Sequence, residues 1–205
     1  MSLVLASFLD DGITAGSIDM SSLRETLAIA KQRRLNCIEL GAGCGVVGLG
    51  LAQALPHCDV LLTDLPEAMD IARCNMLAAH LASDATADFE LLDWEKDLPA
   101  RVSGRAFDLI LVADCTYNPA SVPSLVSVLA MLTARSPRAV VLLAHKVRHS
   151  SEAIFFEHIA DAGLVQSDHV AIPLPSNEDF GLSSDSEDVD IYLFQARNSS
   201  TPTRM

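Results

Sequence analysis

A largely apolar run, Leu35-Asn-Cys-Ile-Glu-Leu40, stops abruptly in Gly41-Ala-Gly-Cys-Gly45, and Val46 to Leu55 resumes as an apolar stretch of helical length. This strand, glycine turn and helix constrain the chain more than any other feature. Glycines let the backbone turn tightly and come within van der Waals distance of a ligand. In an open parallel sheet, ligands bind outside the carboxyl ends of the strands, where such a turn sits. The pattern is GxGxG with a further Gly48. Against the dinucleotide pattern G-x-G-x-x-G, the sixth residue is Val46 counted from Gly41 and Gly48 counted from Gly43. Taken alone, the turn also fits a tight strand-to-helix connection that binds nothing.

The rest of the chain repeats the alternation. Helix is expected over 21–34, with Ser21 or Ser22 as cap and Glu25 placed for a capping box. Further helices are expected from Pro66 to about His80, from Pro119 to about Ala134, and from Ser150 to Ala162, the last closed by Gly163. Strands are expected over 59–63, 88–92, 107–113, 138–144, 164–172 and 190–196. Alternating strands and helices imply a mainly parallel sheet of seven strands covered on both faces. The last two strands are separated only by a loop, so they should pair antiparallel. Residues 1–34 form a lead segment and helix, 35–197 the main domain, and 198–205 a frayed tail.

Three acids fall at strand ends. Asp64 lies 23 residues beyond Gly41, where a carboxylate can accept both ribose hydroxyl hydrogens and disfavour a 2′-phosphate. It could instead cap the helix that follows. Asp93 precedes the sole tryptophan, Trp94. A carboxylate can take a hydrogen bond from an adenine amino group, and an indole can cover a purine face. Asp114-Cys-Thr-Tyr117 follows the fourth strand. Core packing of Trp94 and helix capping by Asp114 are the plainer alternatives, but neither explains acids at all three strand ends.

Composition narrows the partners. The 205 residues carry 27 Asp and Glu against 14 Lys and Arg, a net charge of −13. That balance argues against a protein gripping nucleic acid through phosphates, which needs a basic footprint. Six acids between Glu178 and Asp190, with no intervening Lys or Arg, form either a solvated loop or a docking element for a basic surface. The five cysteines form no CxxC pair, so neither a zinc cluster nor a disulfide framework is expected. They read as reduced, buried residues of a cytoplasmic or nuclear protein. The first ten residues lack a basic start and do not read as a signal peptide, and no run is long enough to span a bilayer.

Gly41-Ala-Gly-Cys-Gly45, Leu62-Thr-Asp-Leu-Pro-Glu67 with Asn75, Asp93-Trp94, Ala113-Asp-Cys-Thr-Tyr117, Val141-Leu-Leu-Ala144 with Arg148, and Asp190-Ile-Tyr-Leu-Phe194 together resemble the seven-strand S-adenosylmethionine-dependent methyltransferases. More narrowly, they resemble the methyltransferase-like protein-lysine methyltransferases. The resemblance implies a Rossmann-like α/β fold, S-adenosyl-L-methionine as cofactor, a protein substrate with a target lysine, and no metal. It implies that Gly41, Ala42 and Gly43 line the methionine and ribose, that Asp64 holds the ribose, and that Asp93 and Trp94 hold the adenine. Ala113 would approach the cofactor through its backbone, with Glu39 and Leu65 also in the cofactor site. Asp114 and Tyr117 would form the catalytic mouth. The tryptophan that this group carries ahead of its first helix is missing from Gly16 to Ser22.

On this reading Asp114 orients the target amine and helps remove its proton, and Tyr117 adds a hydroxyl and an aromatic wall. His145 is a further proton acceptor to consider, although a core or surface histidine explains it more simply. Transfer to a small amine, or a scaffold that binds cofactor without catalysis, are the alternatives. An NAD oxidoreductase is disfavoured by the incomplete dinucleotide turn.

Overall fold

The computed structural model describes residues 2–16, 20–146, 153–173 and 188–197. In chain order the elements are α1 (Ser2–Ala15), α2 (Ser21–Ala28), β1 (Leu35–Leu40), α3 (Val46–Ala54), β2 (Cys58–Asp64), α4 (Met69–Ala78), β3 (Thr86–Leu91), α5 (Ala100–Ser103), β4 (Leu109–Ala113), α6 (Val122–Arg135), β5 (Val140–His145), α7 (Ala153–Asp161), β6 (Leu164–Ile172) and β7 (Val189–Ala196). Short 3-10 turns follow α2 and precede α4.

The strands form one seven-stranded sheet in the order β3-β2-β1-β4-β5-β7-β6. Strands β1 to β5 pair in parallel, and β7 is antiparallel to both of its neighbours. The expected doubly covered sheet is therefore present, with the last strand inserted ahead of β6.

Side-chain alternation divides the core into two layers. On one face Cys37, Leu62, Leu109, Leu111 and Leu142 meet α1 to α4. On the other, Ile38, Leu61, Ile110, Val112 and Val141 meet α5 to α7. Successive strand side chains point to opposite faces, so only a strand apolar at nearly every position can serve both layers. Strand β4, Leu-Ile-Leu-Val-Ala, is buried throughout.

The lead segment departs from expectation. Residues 2–15 form a helix whose Leu5 and Leu9, one turn apart, are both fully buried. It lies close to α3: a Cβ placed on Gly50 would stand 3.4 Å from the Ala6 Cβ. The expected capping of α2 is not found either. Its N-cap is Met20, which is 1% exposed, with no side-chain cap. Ser22 Oγ is instead turned toward Gln195 Oε1, at 3.4 Å. Burial of Met20 and Leu23 sets this helix start, and regular α-helix ends at Ala28 rather than Arg34. Arg148, the acids at 178–187 and the tail at 198–205 lie outside the described residues. Asp190, the last acid of that run, hydrogen-bonds His169 Nε2 at 2.7 Å. No helix among the described residues is long and apolar enough to cross a membrane.

The cysteines also divide. Cys37, Cys58 and Cys115 are buried, but Cys44 on the glycine turn and Cys74 on the outer side of α4 are exposed. Burial pushes the Cys58 thiol up to about 11 and that of Cys115 to about 12. Iodoacetamide at pH 8 should modify Cys44 and Cys74 in the native protein and all five cysteines in denaturant, read by peptide mass spectrometry.

Candidate functional site

The glycine turn is built by β1 and β2 together. Thr63 Oγ1 donates to the Glu39 carbonyl at 2.6 Å, and Ala42 N–H donates to the Thr63 carbonyl at 3.0 Å. Gly43 N–H donates to Asp64 Oδ2 at 2.6 Å, while Leu65 N–H donates to Asp64 Oδ1 at 2.7 Å. Asp64 therefore braces the turn rather than capping the following helix. Asn75 reaches over from α4, its Nδ2 donating to the Cys44 carbonyl at 2.8 Å.

Two glycines are required for different reasons. Gly41 has φ +65°, and a Cβ there would fall 2.6 Å from Cys115 Sγ and 3.3 Å from the Trp94 ring. The first condition disfavours side chains and the second excludes them. Gly48, in regular helix, is needed for space: its Cβ would meet Leu62 Cδ2 at 2.5 Å and Glu39 Oε2 at 2.7 Å. That room lets α3 settle on the sheet, and Gly48 N–H donates to the Glu39 carboxyl at 2.8 Å. Glu39 is 1% exposed, and burial pushes its pKa up to about 8.

A cleft of about 560 Å³ opens at the carboxyl ends of β1 to β4. Gly41, Gly43, Asp64 and Leu65 form one wall, Asp93 and Trp94 another, and Asp114 and Tyr117 a third. Eight of the residues singled out in the sequence thus share one cavity. Ala42 and Ala113 are buried, at 7% and 5% exposure, and Glu39 lies beneath α3 outside the cleft lining. Cys115, Asn118, Ser121 and Ser124 also line it. Sequence reading missed all four, and only Cys115 had a signal, through its place beside Asp114.

Asp93 Oδ2 pairs with Lys96 at 2.9 Å, and Oδ1 accepts from Glu95 N–H at 3.0 Å. The Lys96 hydrogen bond holds the Asp93 carboxyl below its usual range. Asp114 sits at φ +61°, uncommon for a residue with a side chain, although Asp tolerates it better than most. Its N–H donates to the Ala144 carbonyl at 3.3 Å. On either side the backbone is fixed. Cys115 Sγ lies 3.4 Å from the carbonyls of both Leu40 and Ala113, tying β1 to β4. Thr116 Oγ1 lies 2.7 Å from His145 Nδ1 in a buried contact. His145 is 1% exposed, packs edge-on against Phe156 and does not line the cleft. Tyr117 is 62% exposed at the rim. Among the described residues no cluster of three or more His, Cys, Asp or Glu could hold a metal ion.

Comparison with known proteins gives this geometry relatives. The profile of a family described as lysine methyltransferase matches residues 2–162. EEF1A lysine methyltransferase 3 of Mus musculus is 32% identical over 78% of this chain and 61% of its own length. Protein N-lysine methyltransferase METTL21A of Mus musculus is 30% identical over 81% of this chain and 68% of its own. A UPF0665 family protein of Schizosaccharomyces pombe is 29% identical over 64% of this chain, which spans 39% of that relative's length. Among solved structures, a TehB-like SAM-dependent methyltransferase from Corynebacterium glutamicum shares the fold at 18% identity, with TM-score 0.57 and 96% and 98% of the two chains covered. The N-methyltransferase NodS from Bradyrhizobium japonicum, solved with S-adenosyl-L-homocysteine, shares it at 16% identity, TM-score 0.57, covering 86% and 84%.

The buried Glu39 carboxyl gives a pH signature. Its pKa is raised in the folded protein, so its contribution is fully present below about pH 4.3, the unfolded value, and is lost as pH rises to about 8. Glu39→Gln keeps an acceptor for Gly48 N–H but cannot ionise. Thermal melts between pH 5 and 9 should show the variant gaining on the wild type as pH rises. Gly41→Ala should cost about 1–3 kcal/mol from backbone strain and close contact, measured by urea unfolding at pH 7.

Proposed function

We propose that this chain, which belongs to the lysine methyltransferase family, is an S-adenosylmethionine-dependent protein-lysine N-methyltransferase whose site is the strand-end cleft. The observation that carries the reading is the convergence of the glycine turn, Asp64, Asp93-Trp94 and Asp114-x-x-Tyr117 on one cavity. Its volume of about 560 Å³ is in the ordinary range for a cofactor-sized ligand. The missing Cβ at Gly41 lets Cys115 Sγ and the Trp94 ring pack against the turn and so shapes the cleft wall.

In this reading Gly41, Ala42 and Gly43 cradle the methionine and ribose portions. Asp64 accepts from the ribose hydroxyls with the lone pairs that Gly43 and Leu65 N–H leave open. Leu65, half-exposed at the rim, covers the nucleoside, while Trp94 and Asp93 take the adenine. Ala113 contributes its backbone beside the reacting end. Glu39 supports the site from below by holding α3. When bound, S-adenosylmethionine supplies a methyl group on a positively charged sulfur.

The chain's own task is to present a neutral, aligned amine. Such positioning can account for roughly 7–11 kcal/mol of a barrier. The Asp114 carboxylate orients the lysine ammonium and takes its proton, directly or through water. Tyr117 offers a hydroxyl and a ring face to the incoming cationic side chain. Its exposure at the rim favours a substrate presented on a protein surface over an enclosed small amine. The expected compartment is the cytoplasm or nucleus, consistent with free thiols.

With tritiated S-adenosylmethionine and cell lysate, the protein should label a discrete protein band, with the mark on lysine by mass spectrometry. Label confined to small molecules would contradict the reading. Asp114→Asn should lower the transfer rate by about a hundredfold or more while calorimetry shows unchanged cofactor affinity. Asp64→Ala should weaken that affinity by about 10–100-fold, the loss of hydrogen bonds to a charged group.

A further inference from the structure

A second, larger groove of about 860 Å³ lies at the other end of the sheet. Its lining comes from α2, from residues just before β4 and β5, and from the start of β6 and end of β7. These are the amino ends of the parallel strands. The six-residue β1 separates this end from the cleft by roughly 20 Å at about 3.3 Å per residue. The groove therefore takes no part in the site described above.

Its charge runs against the rest of the molecule. Arg33, Arg138 and Arg197 line it, with Glu25 and Asp108 as the opposing acids, so the groove is net positive on a chain of −13. Other arginines at this end are engaged. Arg34 pairs with Asp59 at 2.8 Å and donates to the Asp84 carbonyl, and Arg105 bonds Asn36 and Asp59. Arg33 grips Asp108 with both terminal guanidinium nitrogens, at 2.6 and 2.8 Å, which neutralises one of the two acids lining the groove. Arg138 and Arg197 differ. Both are exposed, and among the described residues neither makes an ion pair or a side-chain hydrogen bond, although the Arg138 charge also helps to lower the Asp108 carboxyl pKa. Between the charges lie apolar groups of Ile29, Val165 and Ala196.

We infer that this groove is a docking site for an acidic segment of a partner protein, with carboxylates seated on Arg138 and Arg197 and apolar side chains on Ile29 and Val165. Guanidinium groups match carboxylates in planar, two-point geometry. Charge complementarity selects the occupant. A nucleic acid of uniform charge would leave the apolar lining unmatched, whereas a short acidic and apolar peptide meets the arginines and Ile29 and Val165 together.

The test is fluorescence anisotropy with a fluorescein-labelled twelve-residue peptide of repeated Glu-Leu-Asp, at low salt. A Lys-Leu-Lys peptide of equal length and a labelled single-stranded oligonucleotide serve as comparators. The acidic peptide should bind best, with an affinity that falls as salt rises. Arg138→Glu with Arg197→Glu should weaken it by about tenfold or more. Calorimetric binding of S-adenosylhomocysteine to the double variant, unchanged from wild type, shows that its fold is intact. Binding no tighter than the basic peptide, preference for the oligonucleotide, or full retention of peptide binding in the double variant would overturn the proposal. None of these readouts depends on methyl transfer.

Discussion

The carboxyl group of Glu39, buried beneath α3 and bonded to Gly48 N–H, is the contact on which the site depends. An acid is costly to bury, and its raised pKa records that cost. What the fold gains is a fixed height for α3 above β1 and β2. Gly48 makes this possible, because any larger residue would collide with Leu62, Val60 and the carboxyl itself. With the helix seated, the turn that precedes it can be tied down from both sides, by Thr63 and Asp64 on β2 and by Asn75 on α4. The mouth of the cleft is then set by backbone geometry rather than by flexible side chains.

A second joint connects the turn to the Asp114 side of the cleft. Cys115 Sγ bridges the carbonyls of Leu40 and Ala113, and its thiol stays protonated across the physiological range because burial pushes its pKa to about 12. Removing a Cβ at Gly41 makes room for that sulfur and for the Trp94 ring at once. Glycine, cysteine and tryptophan from three separate strand ends thus form one packed unit, so a change in any of them should be felt by the others.

The central strands β1, β2, β4 and β5 were legible in the sequence because their burial is close to complete. A run such as Leu109-Ile-Leu-Val-Ala113 has no plausible place except between two apolar layers. The strand-end acids were legible for a related reason: each breaks an apolar run at the same point in the topology. Helix α1 was not. It is apolar at eight of its fourteen positions, but these do not gather on one clear face, and its stability comes from Leu5 and Leu9 reaching the sheet-facing layer beside α3. The cap expected at Ser21 or Ser22 failed because the burial of Met20 outweighs a hydroxyl hydrogen bond worth about 1 kcal/mol. Cys44 and Cys74 sit in segments rich in apolar residues, yet one is on a turn and the other on a solvent-facing helix side, which composition does not reveal. The burial of Glu39, and the support that Asn118, Ser121 and Ser124 give the cleft wall, depend on tertiary placement that no local pattern encodes.

The positive φ of Asp114 has a thermodynamic corollary. Glycine would occupy that backbone conformation at less steric cost. Under the role proposed for Asp114, folding and chemistry would pull in opposite directions at this one residue. Asp84 and His57 adopt the same conformation away from the cleft, so the left-handed backbone of Asp114 does not itself mark a function; it fixes the direction in which that carboxylate leaves the chain.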